Sequence, residues 1–398
     1  MTSGRAAPDQ GALRILHVSE VTWGGVPSLM RHFTDEQVRA GHEVHVLAPE
    51  DVLGVPGVLH HRWRLDRHHP VSVTTGMVDL RRCVRGVRPD VVHLHSFVAG
   101  LLGRMPPRRL WLGDADVPVV YQPHAWPFGL FDQAAVLGAL RGWEVWATRN
   151  TDALVANCAD EVQEGKHAGV DVAAHVLGVA VDLERFHPVT RLEQQRLRDE
   201  LGIRAGRVLV CVARLAFQKG QDLLLQAWER SRPPDTELLL VGPGDQEAFR
   251  AHAPREWGRS VRAVGEQADV RPWIWASDAL VLPSRYEGLA VTAAEAMACG
   301  RPVIATAVNG VVEIVLDDPL PAAGAVVPLG DTDALIREAS LRLEDKGRCD
   351  REGLAGRQRA EAQFRPDVVA ARLEAAYRAA RAQRHQGGRR HVRHPSAS

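Results

Sequence analysis

Two carboxylates dominate the chemistry that this sequence suggests. The stretch Ser284–Gly300 reads SRYEGLAVTAAEAMACG. Glu287 lies in a turn that follows a strand-like run ending at Pro283, and Glu295 lies within the helical stretch Ala290–Cys299. That helix is apolar almost all round, which is the pattern of a buried helix. A carboxylate in such a helix is expensive unless it is hydrogen-bonded or paired. A ribose diol offers two donors to one carboxylate and meets that need. The free N–H groups at the start of the helix form a natural diphosphate site. Glu287, in the turn, would reach a hydroxyl on the far side of the phosphates. The blander alternative pairs Glu295 with a buried arginine and leaves Glu287 as a solvated loop residue. Either glutamate alone reads that way; both together, in a strand–turn–helix context, read as ligand binders.

Upstream, Val208–Gly220 reads VLVCVARLAFQKG. A buried strand delivers Arg214 at its carboxyl end, and Lys219 follows in the loop before a helix. Two cations at a sheet edge suit a diphosphate, and could stabilise charge that grows on a departing phosphate. The competing reading is a screened surface Arg and Lys. His124, in QPHAWPF, follows another strand on a loop stiffened by Pro123 and Pro127. Taken alone it reads as a structural loop histidine.

These residues need elements to hold them. Arg14–Ser19 reads as a buried strand, the Gly24-Gly25 turn follows, then an amphipathic helix through about Ala40, then a strand over His42–Ala48. That strand–helix–strand unit with a short glycine turn is the pattern of a parallel sheet. Further strands are expected at Val91–Leu94, Val119–Gln122 and Ala153–Ala156, with Val176–Val179 as the last of this half. After a linker around Phe186–Thr190 the rhythm restarts. Strands are expected at Val208–Ala213, Leu238–Val241, Val261–Val264, Ala279–Pro283 and Val303–Ala305, with helices at Gly220–Arg230, Val270–Ala276 and Ala290–Cys299. Two such runs predict two doubly wound α/β domains with their carboxyl edges towards a shared cleft.

Composition narrows the classes. The chain has 398 residues, 45% hydrophobic and 25% charged, with 49 basic and 49 acidic side chains. That length and balance suit a multi-domain globular protein with no nucleic-acid partner. The five cysteines are scattered without CxxC pairs, which fits a reducing compartment and argues against a disulfide framework or zinc site. Residues 1–11 hold no signal-peptide core, and no apolar run spans a bilayer. The expected location is cytoplasmic, with peripheral membrane contact left open. The basic tail from Arg378 onward reads as disordered.

The set Arg214…Lys219, then Glu287 with seven residues before Glu295, resembles the retaining glycosyltransferases of family 4, which have the GT-B fold. The Gly24-Gly25 loop and the run VDLERFHP at Val181–Pro188 match in kind, and Phe364–Ala379 looks like the terminal helix that crosses back to the first domain. The chain departs from the family pattern at Asn309-Gly310, where two glycines are common, and at Ala180-Val181-Asp182, where a fuller Asn-Gly-Val-Asp is common. The resemblance implies an acceptor domain over 1–186, a donor domain over 187–363, the crossing helix over 364–380 and a disordered tail over 381–398. It implies transfer of a sugar, with retention, from a nucleoside diphosphate donor to an acceptor hydroxyl, in natural-product or surface-glycan biosynthesis. A UDP-linked hexose or N-acetylhexosamine is the expected donor, and no metal or other cofactor is required. Arg214 and Lys219 would bind the diphosphate, Glu295 the ribose and Glu287 a sugar hydroxyl. Amides of Gly288 and Leu289 would help there, and Gly265 and Glu266 would lie near the base. His124 would meet the sugar near the reacting carbon, and Gly24 and Gly25 would let the backbone approach the phosphate.

The acceptor stays open between a small molecule, a lipid-linked glycan and a polysaccharide, as does the oligomeric state. A nucleotide-sugar epimerase and a non-catalytic nucleotide-sugar-binding subunit are the alternatives; a pyridoxal phosphate phosphorylase lacks a fitting lysine. Trp143 and Trp146, in the amphipathic stretch Ala134–Arg149, read as packing on the sheet rather than stacking on sugar or lipid. Asp114-Ala-Asp116 and Asp331-Thr-Asp333 lack the strand context of a metal grip. His93-Leu-His95 places two imidazoles on one strand face without a third ligand. Gly24-Gly25 lacks the third glycine of a dinucleotide fingerprint, and His68-His69 reads as solvated.

Overall fold

The structure, a computed structural model, describes residues 11–66, 72–105, 107, 117–129, 133–316 and 320–391. The chain divides into two compact units. The first holds seven strands: β1 (Arg14–Ser19), β2 (Glu43–Ala48), β3 (Leu59–Arg62), β4 (Val91–His95), β5 (Val119–Gln122), β6 (Ala153–Ala156) and β7 (Ala174–Val176). Their order is β3-β2-β1-β4-β5-β6-β7, and every pair is parallel. β4 and β5 are buried along their whole length and β1 along all but Arg14, as expected of central parallel strands, and they carry His17, His93, His95 and Gln122 inward with their apolar residues.

The second unit holds β8 (Arg207–Val212), β9 (Thr236–Val241), β10 (Val261–Gly265), β11 (Ala279–Leu282), β12 (Val303–Thr306) and β13 (Gly324–Val327). Their order is β10-β9-β8-β11-β12-β13, again all parallel. Each unit is thus doubly wound. The strand order reverses between β1 and β4 in one sheet and between β8 and β11 in the other. Ligands of open α/β sheets bind outside the carboxyl ends at such reversals. Six of the expected site residues follow these strands: Arg214 and Lys219 after β8, and Glu287, Gly288, Leu289 and Glu295 after β11.

The structure moves three boundaries. The last strand of the first sheet is Ala174–Val176 rather than Val176–Val179. Gly178 turns the chain with φ +82°, and Val179, Val181 and Phe186 are buried in the core of the second unit. That unit accordingly begins at Gly178, with 157–161 counted in it as well, and the VDLERFHP run is part of it. The terminal helix spans Pro366–His391, well past the point where a disordered tail was expected from 381. Ala, Arg, Glu and Gln are strong helix formers, and Glu374 pairs with Arg378 one turn on. Its portion from Val369 belongs to the first unit. Residues 392–398 lie outside the described residues.

All five cysteines are buried, and burial pushes every one of these thiols up to about 12. No described helix is long and apolar enough to cross a membrane.

Candidate active site

At the reversal of the second sheet, the loops after β8 and β11 are bonded to each other. Lys219 Nζ donates to Glu287 Oε1 and Oε2 at 2.8 and 2.7 Å. Ser284 Oγ donates to Glu287 Oε1 at 2.6 Å, and the Ser284 carbonyl accepts from Thr306 Oγ1 at 2.6 Å. Glu287 is 7% exposed, so it is a buried, paired carboxylate and not a solvated loop residue. A second pair ties the loop after β11 to the helix Gln221–Arg230 that follows the β8 loop: Arg285 forks onto Asp222 at 2.7 Å for each N–O contact. Arg285 also donates to the Phe217 carbonyl. The turn that presents Lys219 ends at Gly220 with φ +68°, where a Cβ would stand 2.0 Å from the Pro283 carbonyl oxygen. Only glycine lets the β8 loop lie this close to the end of β11.

Arg214 follows β8 and is exposed. Its carbonyl accepts from Gln221 Nε2 at 2.8 Å, and Gln221 is fully buried. Gly265 closes β10 with φ +81°, and its carbonyl accepts from the Gly242 amide at 2.8 Å. Glu266 beside it is exposed. Gly288 and Leu289 lead into the helix Val291–Ala298, whose N-terminus has no side-chain cap and no acid in its first turn. Those donors suit an anion.

Glu295 lies on that helix among buried Ala293, Ala294, Ala296 and Met297. Burial raises its carboxyl to about 7, with the nearby Arg185 charge opposing. No hydrogen bond or ion pair to its carboxylate is found among the described residues, so the expected alternative of a buried arginine partner does not hold.

In the first unit, His124 follows β5 with φ +62°, a backbone region rare for a side-chain-bearing residue. Its Nε2 lies 2.9 Å from His95 Nδ1. His95 Nε2 lies 2.9 Å from His17 Nδ1, and His17 Nε2 lies 2.8 Å from Gln37 Oε1. His93 Nδ1 lies 2.8 Å from the Tyr377 hydroxyl. Burial lowers all four imidazoles: His17 to about 4, His124 to about 3, and His93 and His95 well below their ordinary value. The expectation that His93 and His95 lack a third imidazole is corrected here. β1 is in register with β4 so that His17 faces His93, and the three rings form the one group of metal-ligating geometry among the described residues. Sequence reading missed this because the third histidine comes from a different strand.

Gly24 has φ +86° and caps the helix Gly25–Arg39 without a side-chain bond. Open space surrounds the position of its absent Cβ, so conformation rather than crowding calls for glycine there. Glu20, just before it, occupies a different helix start: its carboxylate accepts from the amides of Val98 and Ala99 at 3.1 and 3.0 Å.

Other expectations sort cleanly. Asp331 caps the helix Thr332–Glu344 by accepting from Ala334 N, and Asp333 pairs with Arg230, so neither grips a metal. Asp114, Asp116, His68 and His69 lie outside the described residues. The helix Ala134–Ala147 buries only Glu144 and Ala147, and Trp146 is 39% exposed. That tryptophan is therefore not packed into the sheet, because the buried Arg104–Glu144 pair turns a polar side of the helix inward. Ser284, Asp222 and Gln221 were not anticipated. Ser284, three residues before Glu287, was the available signal.

Comparison with known proteins is consistent across sequence and fold. The model described as Glycosyltransferase Family 4 matches residues 23–185, and that described as Glycosyl transferases group 1 matches residues 206–345. The D-inositol 3-phosphate glycosyltransferase of Xylanimonas cellulosilytica is 31% identical over 313 residues, which covers 71% of this chain and 70% of that one. The GDP-mannose-dependent alpha-(1-6)-phosphatidylinositol monomannoside mannosyltransferase of Mycolicibacterium smegmatis is 29% identical over 359 residues, 84% of this chain and 89% of that one. Sucrose-phosphate synthase from Thermosynechococcus elongatus shares the fold with a TM-score of 0.76 at 21% identity, covering 92% of this chain and 98% of its own. Anabaena HepE in complex with UDP and glucose does so with a TM-score of 0.76 at 18% identity, covering 91% and 98%.

Proposed function

This chain belongs to glycosyltransferase family 4, and we propose that it moves a sugar, with retention, from a UDP-linked hexose or N-acetylhexosamine to an acceptor hydroxyl. The observation that carries this reading is the bonded set Lys219–Glu287–Ser284 beside an uncapped helix start at the sheet reversal. A lysine ammonium has three donors, and Glu287 takes two. The third is left for a phosphate oxygen, with Arg214 as the second cation. The Glu287 carboxylate has about four acceptor positions; Lys219 and Ser284 use three, which leaves one for a sugar hydroxyl. Glu295 accepts the ribose diol. The amides around Gly288 and Leu289 serve the diphosphate, and Gly265 and Glu266 border the base. In the first unit we assign His124 to the transferred sugar and Gly24-Gly25 to backbone approach.

The chemistry needs negative charge to be stabilised as the nucleoside diphosphate departs. Lys219, Arg214 and the helix start supply that, so the reaction needs no metal. No carboxylate is assigned as a nucleophile; the departing phosphate takes the acceptor proton during attack on the same face. The relatives whose names print a donor include a GDP-mannose-dependent enzyme, so the donor screen must contain both nucleotides.

The test is thermal shift across UDP- and GDP-sugars, followed by a transfer assay by mass spectrometry with and without chelator. A UDP-sugar should raise the melting temperature most, and Lys219→Ala, Glu287→Ala and His124→Ala should each lower transfer by at least about tenfold, the worth of one good hydrogen bond. Wild-type transfer by all three variants would overturn the site assignment. Conversion of the donor to an epimer without transfer would overturn the reaction.

A further inference from the structure

The helix Ser72–Val87 packs along one face of β1, β2 and β3, and that seam changes character along its length. Towards the carboxyl ends of the strands it is apolar: Leu16, Leu47, Trp63, Leu65, Met77 and Leu80 share one buried core. Towards their starting ends, alternation along the same strands puts Arg14, Glu43, His45 and His61 on this face. The helix answers with Asp79, Arg82, Cys83 and Gly86, a single stripe at helical spacing. An open pocket of about 680 Å³ lies between them, and Arg62, the last residue of β3, also lines it. Polar groups turned under a helix are costly unless they are bonded or used.

The acids of this pocket are already bonded. Glu43 lies 2.9 Å from Arg14 Nε and accepts from His45 Nε2 at 2.8 Å, and His45 Nδ1 lies 2.8 Å from His61 Nε2. Asp79 accepts a fork from Arg64 at 3.0 and 2.6 Å. The bonds from His45 and Arg14 hold the Glu43 carboxyl below the usual range, and the Arg64 fork does the same for Asp79. Two guanidiniums remain. Neither Arg62 nor Arg82 makes a hydrogen bond or ion pair among the described residues. Gly86 adds room. The left-handed position that ends the helix is Arg88, with φ +52°, and a Cβ on Gly86 would meet nothing within 4 Å, whereas one on Gly76 would stand 2.9 Å from Leu65 Cδ1. Glycine weakens a helix, and at 86 neither packing nor conformation calls for it. The carbonyl end of the helix works against a nearby anion, but Arg14 Nη1 covers the Val87 carbonyl at 3.1 Å.

We propose that this pocket binds a phosphate monoester, with Arg62 and Arg82 on the phosphate group and the body of the ligand in the space beside Gly86. Two guanidinium forks match the double charge and three terminal oxygens of a monoester, whereas one fork serves a carboxylate. The pocket lies towards the starting ends of β1 and β2, away from the end of β5 that His124 follows. All of its lining residues belong to the first unit, so it is independent of the donor site assigned to the second.

The test is calorimetric titration of the full chain at pH 7 and fixed ionic strength with glucose 6-phosphate, inorganic phosphate and acetate. The monoester should saturate one site per chain, inorganic phosphate should compete with it more weakly, and acetate should not compete. Arg62→Gln and Arg82→Gln should each weaken the monoester at least about tenfold, the loss of one charge-assisted hydrogen bond. Gly86→Leu should abolish binding while melting no lower than wild type, because leucine favours the helix. All three variants should keep the wild-type thermal shift with UDP, which separates this pocket from the donor site. Failure of both phosphate probes to saturate would overturn the proposal, as would competition by acetate equal to that of phosphate, or undiminished binding in both arginine variants. A wild-type chain that ignores UDP yet binds the monoester would count against the donor reading and leave this pocket standing.

Discussion

Glu295 behaves differently from an ordinary surface glutamate. Its carboxyl is raised to about 7 by burial, yet the ribose diol needs the ionised form as acceptor. Nucleotide affinity should therefore rise with pH between about 6 and 8 and release a proton below 7. The stability sign follows from the same shift. Folded pKa exceeds unfolded, so the contribution is fully present below the unfolded value of 4.5 and is lost as pH rises through about 7. Glu295→Gln should flatten the affinity profile and raise the melting temperature of the ligand-free protein at pH 8; calorimetric titration at pH 6, 7 and 8 reads the first, a melting scan the second. A wild-type affinity that is flat in pH would remove the ribose role. Glu295 was legible in the sequence because a charge on an apolar helix demands a reason. Glu287 was legible only as a partner of Glu295, and its bond to Lys219 was not foreseen, since 68 residues separate them and only the sheet order brings them together.

At the scale of elements, the central strands were readable because parallel strands buried on both faces are continuous apolar runs. β3 escaped notice because its residues, Leu59–Arg62, are a half-exposed LHHR edge with no apolar run. The end of the first sheet was misplaced because Val176, Val179 and Val181 look alike in sequence but serve two different cores. The strongest element-level constraint is the crossing at Gly220. Gly220→Ala forces a side chain into the left-handed region and against the Pro283 carbonyl. Left-handed backbone alone costs about 1–3 kcal/mol, and the clash adds to it. The expected result is a melting temperature lower by about 5 °C or more, with donor affinity falling as well because Lys219 and Glu287 part. Unchanged melting would mean that the two loops do not approach as described.

For the whole molecule, the chain carries two sheets, each with its own buried core, so a ligand's effects can be assigned unit by unit. Hydrogen exchange with and without UDP should show added protection over about 213–221 and 284–293, both in the second unit. Protection confined to β2 and β3 in the first unit would place the nucleotide elsewhere. Doubly wound architecture was visible in the sequence as a rhythm repeated twice. The His17–His95–His124 chain was not, because it joins three strands that only the fold makes neighbours.

The five buried thiols have a practical consequence. Each is held near 12, so almost none is thiolate at neutral pH, and the thiolate is the species that alkylates. The native chain is in effect blind to maleimide. A cysteine placed at exposed Trp23 and another at exposed Glu266 would then be the two reactive sites on an otherwise silent background. A fluorophore pair installed there would report the separation of the two units in solution, donor by donor, without removing a single native residue from either core.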